Sequence, residues 1–174
     1  LTSRCNLDCD FCFALDIMGE TSKTAPDVSF DTFRAYIDLL DRSGLGQARL
    51  LGGEPTLHPE FTRFLDHARS RGKTALIFSN GLIPDAVLDA LVEVPPAECT
   101  VLVNLAAGEA VPAVRRRQEY ALTRLGERSC PGYTISRLDH PDLSLLLDVI
   151  DRTGCQRCLR IAMARPNTSR NTAR

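Results

Sequence analysis

Apolar residues recur along the chain at two alternating periods. Phe30, Phe33, Ile37 and Leu40 repeat at helical spacing, with Ser29 placed to cap, Asp31 in the first turn and Gly44 as a stop, so a helix is expected there. Gln47 to Leu51 reads as a short strand. Pro59 then suits the first turn of a second helix, whose buried face is Phe61, Phe64, Leu65 and Ala68 and whose end is Gly72. Thr74 to Phe78, bounded by Ser79-Asn80-Gly81, reads as a buried strand with a turn after it, and Pro84 opens a helix carrying Val87, Leu88 and Leu91. The pattern then repeats: a β-branched strand over Thr100 to Leu105, a helix from Pro112 to Leu125, a strand over Gly132 to Leu138, a helix from Pro141 to Ile150 and a last strand over Leu159 to Met163. In that last helix Leu143, Leu146, Leu147 and Ile150 are expected on one side. Ala14 to Asp27 has no sustained period and is read as a connection.

Strands alternating with helices at this interval build parallel βαβ units with right-handed crossovers. Counting Leu1 to Ser3 as the tail of a first strand gives six. With 174 residues, 44% of them hydrophobic, the chain is sized for one sizeable core and a single domain. A net charge of −1 without a basic stripe makes nucleic acid or an anionic membrane no obvious partner, and Arg115-Arg116-Arg117 reads as a solvated helix face. No signal peptide or apolar stretch of spanning length is seen, so a soluble, cytoplasmic protein is expected. The chain starts at Leu1 and ends in a polar tail, which reads as a piece of a longer protein: a core over residues 1–164, entered within its first strand, and a tail over 165–174 leading to a further C-terminal part.

Seven cysteines, odd in number and clustered, point to a metal site in a reducing compartment. Cys5, Cys9 and Cys12 occupy eight positions as C-x3-C-x2-C. Thiolates are soft ligands for zinc, copper(I) or iron–sulfur clusters. The count of three is informative, because a structural zinc is normally closed by four ligands, whereas a 4Fe-4S cluster on three cysteines keeps one iron open. A ferredoxin-like carrier would ordinarily bring a fourth cysteine nearby, and none occurs between Phe13 and Glu98. Cys155 and Cys158 form a C-x2-C pair at the opposite rim, without visible partners, and read as ordinary thiols; Cys99 and Cys130 read as small core or rim residues. His58, His67 and His140 are expected to be structural or solvent-facing.

The cysteine loop, with Phe11 just before its last cysteine, together with Gly52-Gly53-Glu54-Pro55 about forty residues on, resembles the radical S-adenosylmethionine (SAM) superfamily. The resemblance implies an α/β fold, a partial (β/α)6 TIM-like barrel of parallel strands, with both motifs on the C-terminal rim where such barrels keep their chemistry. It implies that Cys5, Cys9 and Cys12 ligate three irons of a 4Fe-4S cluster and that SAM chelates the fourth. It further implies reductive cleavage of SAM to methionine and a 5'-deoxyadenosyl radical that takes hydrogen from a substrate, with flavodoxin or ferredoxin as electron donor.

By the same resemblance Gly52, Gly53, Glu54 and Pro55 border the SAM methionine moiety, Glu54 contributing negative charge. Ser79, Asn104 and Arg137, each at a strand end, are carried over as cofactor contacts by position in the barrel. Phe11 is placed near the adenine or in the packing of the loop. The substrate is left as a peptide, a protein or a small molecule, with a slight leaning to peptide or protein modification. The alternative is a metal-binding or iron–sulfur electron-transfer module that cleaves no SAM.

Overall fold

The structure, a computed structural model, describes residues 1–12, 14, 26–106, 111–136 and 143–164. Five parallel strands, β1 (Gln47–Leu50), β2 (Thr74–Ser79), β3 (Cys99–Asn104), β4 (Ser129–Ile135) and β5 (Arg160–Met163), lie side by side in chain order. Between and before them run helices α1 (Phe30–Arg42), α2 (Phe61–Ser70), α3 (Asp85–Val92), α4 (Pro112–Leu125) and α5 (Leu143–Thr153). Neighbouring strands joined by right-handed crossovers send every helix to the same side, which makes a partial βα barrel. Alternation within the strands follows: Ala75, Ile77, Cys99, Val101 and Val103 are buried, while Leu76, Phe78, Thr100 and Leu102 between them stay half-buried.

The helices form for the reasons legible in their sequences. The Ser29 hydroxyl accepts from the Thr32 N–H at 3.2 Å and starts α1, whose Phe33, Ile37 and Leu40 are buried. Phe33 stacks on Phe64 of α2 with ring centroids 4.5 Å apart, which locks the two helices together. In α5, Leu146, Val149 and Ile150 face the core, but Leu147 is 56% exposed, so the apolar side is narrower than its sequence suggests.

Two strand expectations are corrected. Leu1 to Ser3 is not a strand; the Leu1 nitrogen donates to the Leu51 carbonyl and Gly53 N–H donates to the Thr2 carbonyl at 2.8 Å, so the segment closes over the end of β1. Strand β4 begins three residues earlier than Gly132, at Ser129. Proline and glycine are depleted in strands, yet pairing with β3 (Leu102↔Cys130, Val103↔Pro131) draws Cys130-Pro131-Gly132 into the sheet. The helix expected from Pro59 starts at Phe61, after a single 3-10 turn over Pro55–Leu57.

Candidate active site

The site is built on the turn that leaves β1. A side chain at Gly52 would place its Cβ 2.5 Å from the Thr2 carbonyl oxygen and 3.1 Å from the Thr2 nitrogen. Thus Gly52 is glycine here so that the segment carrying the cysteines can lie directly on the turn. That segment is clasped from the other side as well: Thr2 Oγ1 donates to Asp27 at 2.6 Å, Arg4 pairs with the same carboxylate, and Val28 N–H donates to the Leu1 carbonyl at 2.9 Å. Gly52→Ala is expected to destabilise the chain by about 1–3 kcal/mol through this overpacking. Urea denaturation checks it, and an unchanged midpoint would contradict the close approach.

Glu54, the third residue of the turn motif, is fully buried, with 0% exposure. One oxygen, Oε1, accepts from the Thr56 hydroxyl at 2.6 Å and the Thr56 N–H at 3.3 Å; the other, Oε2, accepts from the Asn80 N–H at 2.8 Å. The Ser79 hydroxyl lies 3.1 Å from both. Burial pushes the Glu54 carboxyl above its ordinary value, and these donors oppose the rise. The carboxylate is therefore the knot that ties the end of β2 to the turn after β1, while Glu54 N–H donates to the Arg4 carbonyl at 2.8 Å and ties in the cysteine segment.

Ser79 and Asn104, expected at strand ends, are there, and both already hold partners within the chain. Ser79 serves Glu54, and the Asn104 amide donates to Thr134 Oγ1 at 3.1 Å while its oxygen accepts from Ala106 N–H at 3.2 Å. Arg137 lies outside the described residues, as does His140. Two side chains not singled out in the sequence complete the rim. Asn80 reaches into the cysteine loop, and the buried Gln118 of α4 donates from Nε2 to the carbonyls of Asn80 at 3.0 Å and Asn104 at 3.2 Å. Only contacts across many residues of chain reveal them.

The loop itself turns on a bond from Cys12 N–H to the Cys9 carbonyl at 3.1 Å, with Phe11 packed against the core. Cys5 is exposed, Cys9 and Cys12 half-buried. The Cys9 thiol is pushed up to about 12, first by burial and then by Cys5, Cys12, Asp10 and Asp8, so the three sulfurs lie within one another's electrostatic reach. Among the described residues no three His, Cys, Asp or Glu side chains gather tightly enough to clasp a single ion. Three thiols in one short loop, one for each of three irons, fit a cluster by their donor chemistry. His58 is no candidate ligand: Nε2–H donates to the Val28 carbonyl at 3.0 Å and Nδ1 accepts from Glu60 N–H at 3.1 Å. His67 packs edge-on against Phe30, centroids 5.3 Å apart.

The other thiols are less isolated than their sequence positions suggest. The β4–β5 register pairs Gly132 with Arg160, which two residues earlier brings Cys130 beside Cys158. Burial, followed by the neighbouring Cys158, pushes the Cys130 thiol up to about 12. Cys155 is close enough to add to the effect. Cys99 is buried at the start of β3, its thiol likewise raised to about 12 by burial.

A parallel half-barrel carrying a three-thiol loop and a glycine-rich turn on its C-terminal rim defines the catalytic core of an iron–sulfur enzyme class. The Radical SAM superfamily profile matches residues 1–121, and the chain belongs to that superfamily. The family brings with it a 4Fe-4S cluster, SAM and the need for a reductant. A GTP 3',8-cyclase of Chlorobaculum tepidum is 38% identical over 95 residues, 53% of this chain and 28% of that protein. The antilisterial bacteriocin subtilosin biosynthesis protein AlbA of Bacillus subtilis is 29% identical over 83 residues, 48% of this chain and 18% of that protein. Streptococcus suis SuiB bound to S-adenosylmethionine superposes with a TM-score of 0.75 at 16% identity, over 96% of this chain and 38% of that one. SuiB bound to its precursor peptide SuiA superposes at 0.72. The matched length is thus well under half of each of these proteins. Among the described residues, no helix is long and apolar enough to cross a membrane.

Proposed function

We propose that Cys5, Cys9 and Cys12 hold a 4Fe-4S cluster whose open iron takes the amino and carboxylate groups of SAM beside the Gly52–Pro55 turn. The observation that carries this reading is the pair of backbone bonds, Gly53 N–H to Thr2 and Glu54 N–H to Arg4, both 2.8 Å, which hold the thiol loop and the turn against each other on one rim. Bound there, the cluster and SAM supply one-electron cleavage to methionine and a 5'-deoxyadenosyl radical. The chain's own part is to seat the ligand. Because the Glu54 side chain is spent inside the protein, the turn meets SAM through backbone groups of Gly52 and Gly53, with Ser79 and Asn104 at the bordering strand ends and Arg137 kept as a further proposed cofactor contact. The Glu54 charge then acts from beneath the site.

For the whole protein we propose an oxidoreductase-type radical enzyme working in the cytoplasm, where flavodoxin or ferredoxin supplies electrons and the thiols stay reduced. Its substrate class is a peptide or protein. The support is the likeness to AlbA and to SuiB with its precursor peptide. Electron paramagnetic resonance of the anaerobically reconstituted, dithionite-reduced chain, with and without SAM, tests the site. A reduced-cluster signal that changes when SAM is added is expected. A signal indifferent to SAM would favour the electron-transfer reading, and zinc in place of iron would return the cysteines to a structural role.

A further inference from the structure

We propose, on the strength of the cluster reading above, that Asn80 is a positioning residue for that cluster, delivering a side-chain N–H to the Cys5 sulfur and thereby raising the reduction potential. Asn80 follows β2 and is 9% exposed. Its Nδ2 lies 2.7 Å from Asn6 Oδ1 and 3.7 Å from Cys5 Sγ, so one amide grips two consecutive residues of the loop. The amide cannot turn over, because its oxygen accepts from Leu82 N–H at 2.8 Å. Main-chain groups fix it too: Asn80 N–H donates to Glu54 at 2.8 Å, and the Asn80 carbonyl accepts from Gln118 at 3.0 Å. Asn6 answers by donating to the Leu82 carbonyl at 2.9 Å, which closes a ring of bonds between loop and turn.

The backbone that aims Asn80 depends on its neighbour. Gly81 has φ +84°, and a Cβ there would lie 2.9 Å from both Gln118 Cγ and Val103 Cγ1. An N–H aimed at a thiolate ligand stabilises negative charge, and the reduced cluster carries one more than the oxidised. The held dipole therefore favours reduction, the step that must precede SAM cleavage.

The test uses wild type, Asn80→Asp and Asn80→Ser, reconstituted anaerobically as the full chain without SAM. Iron content is measured, and the potential is read by titration followed with paramagnetic resonance. Aspartate keeps the acceptor for Leu82 but removes the donor and adds charge; reduction is expected to become harder by about tenfold in its equilibrium constant, a shift of about 59 mV. Serine still accepts from Leu82 and stops short of Cys5, so a smaller shift in the same direction is expected. Both variants carrying full iron at the wild-type potential would overturn the assignment. So would iron lost together with a lowered unfolding midpoint of the apo chain in both, which would make Asn80 only a brace for the turn. Iron lost at an unchanged midpoint would uphold the grip on the loop. A wild-type chain that assembles no cluster would instead sink the underlying reading.

Discussion

Cys9→Ala is expected to leave a folded chain that binds no cluster and releases no methionine or 5'-deoxyadenosine from SAM. The loss is complete rather than graded because the proposed cluster has three ligands in all and no fourth thiol stands ready in the loop. Cys99 is buried, and Cys130, Cys155 and Cys158 lie at the N-terminal ends of β4 and β5, across the sheet from the loop. Cys9 is also outside the hydrophobic core, so the apo variant is expected to unfold at the wild-type midpoint. Iron analysis and product detection after dithionite reduction check both halves. Retained cleavage would break the ligand assignment.

Glu54→Ala is expected to act on the fold before it acts on the chemistry. Truncation strands the buried N–H groups of Thr56 and Asn80, and at about 1–3 kcal/mol for each orphaned donor the loss is about 3 kcal/mol. Relief from burying a charge offsets part of it. Glu54→Gln keeps the shape and one acceptor and is expected to cost less. The pair also separates charge from shape through pH. Native Glu54 holds its proton above the ordinary value of 4.5, so the native state binds more protons than the unfolded one in the window between that value and the raised one. The contribution is fully present below that window and is lost as pH rises through it. Denaturation across this range is expected to show a declining component in wild type that Glu54→Gln lacks; identical slopes would show that Glu54 titrates normally.

Local signals carried much of the architecture. Ser29 announced α1, the period of Phe61, Phe64, Leu65 and Ala68 announced α2, and the two motifs announced the chemistry. What stayed hidden depends on pairs distant in sequence. Nothing near Asn80 says that its amide meets Cys5, 75 positions earlier, and nothing near Gly52 says that Thr2 needs the space of its side chain. The same limit concealed Cys130 beside Cys158, since the C-x2-C pair alone shows no third thiol. The partners of Glu54 were hidden for a related reason. A carboxylate in a motif suggests a charge offered to a ligand, but only the folded chain shows its oxygens already taken.

Exposed thiols stand at both ends of the sheet, Cys5 by the C-terminal rim and Cys158 at the approach to β5. A molecule with one such group can only pair when air oxidises it. With two, at opposite ends of the sheet, successive copies can be linked head to tail into open strings. If the proposed cluster fills the loop, Cys5 is withdrawn from that reaction and the chain is reduced to a simple dimer-former. Sample history would then be written in the ladder of a non-reducing gel.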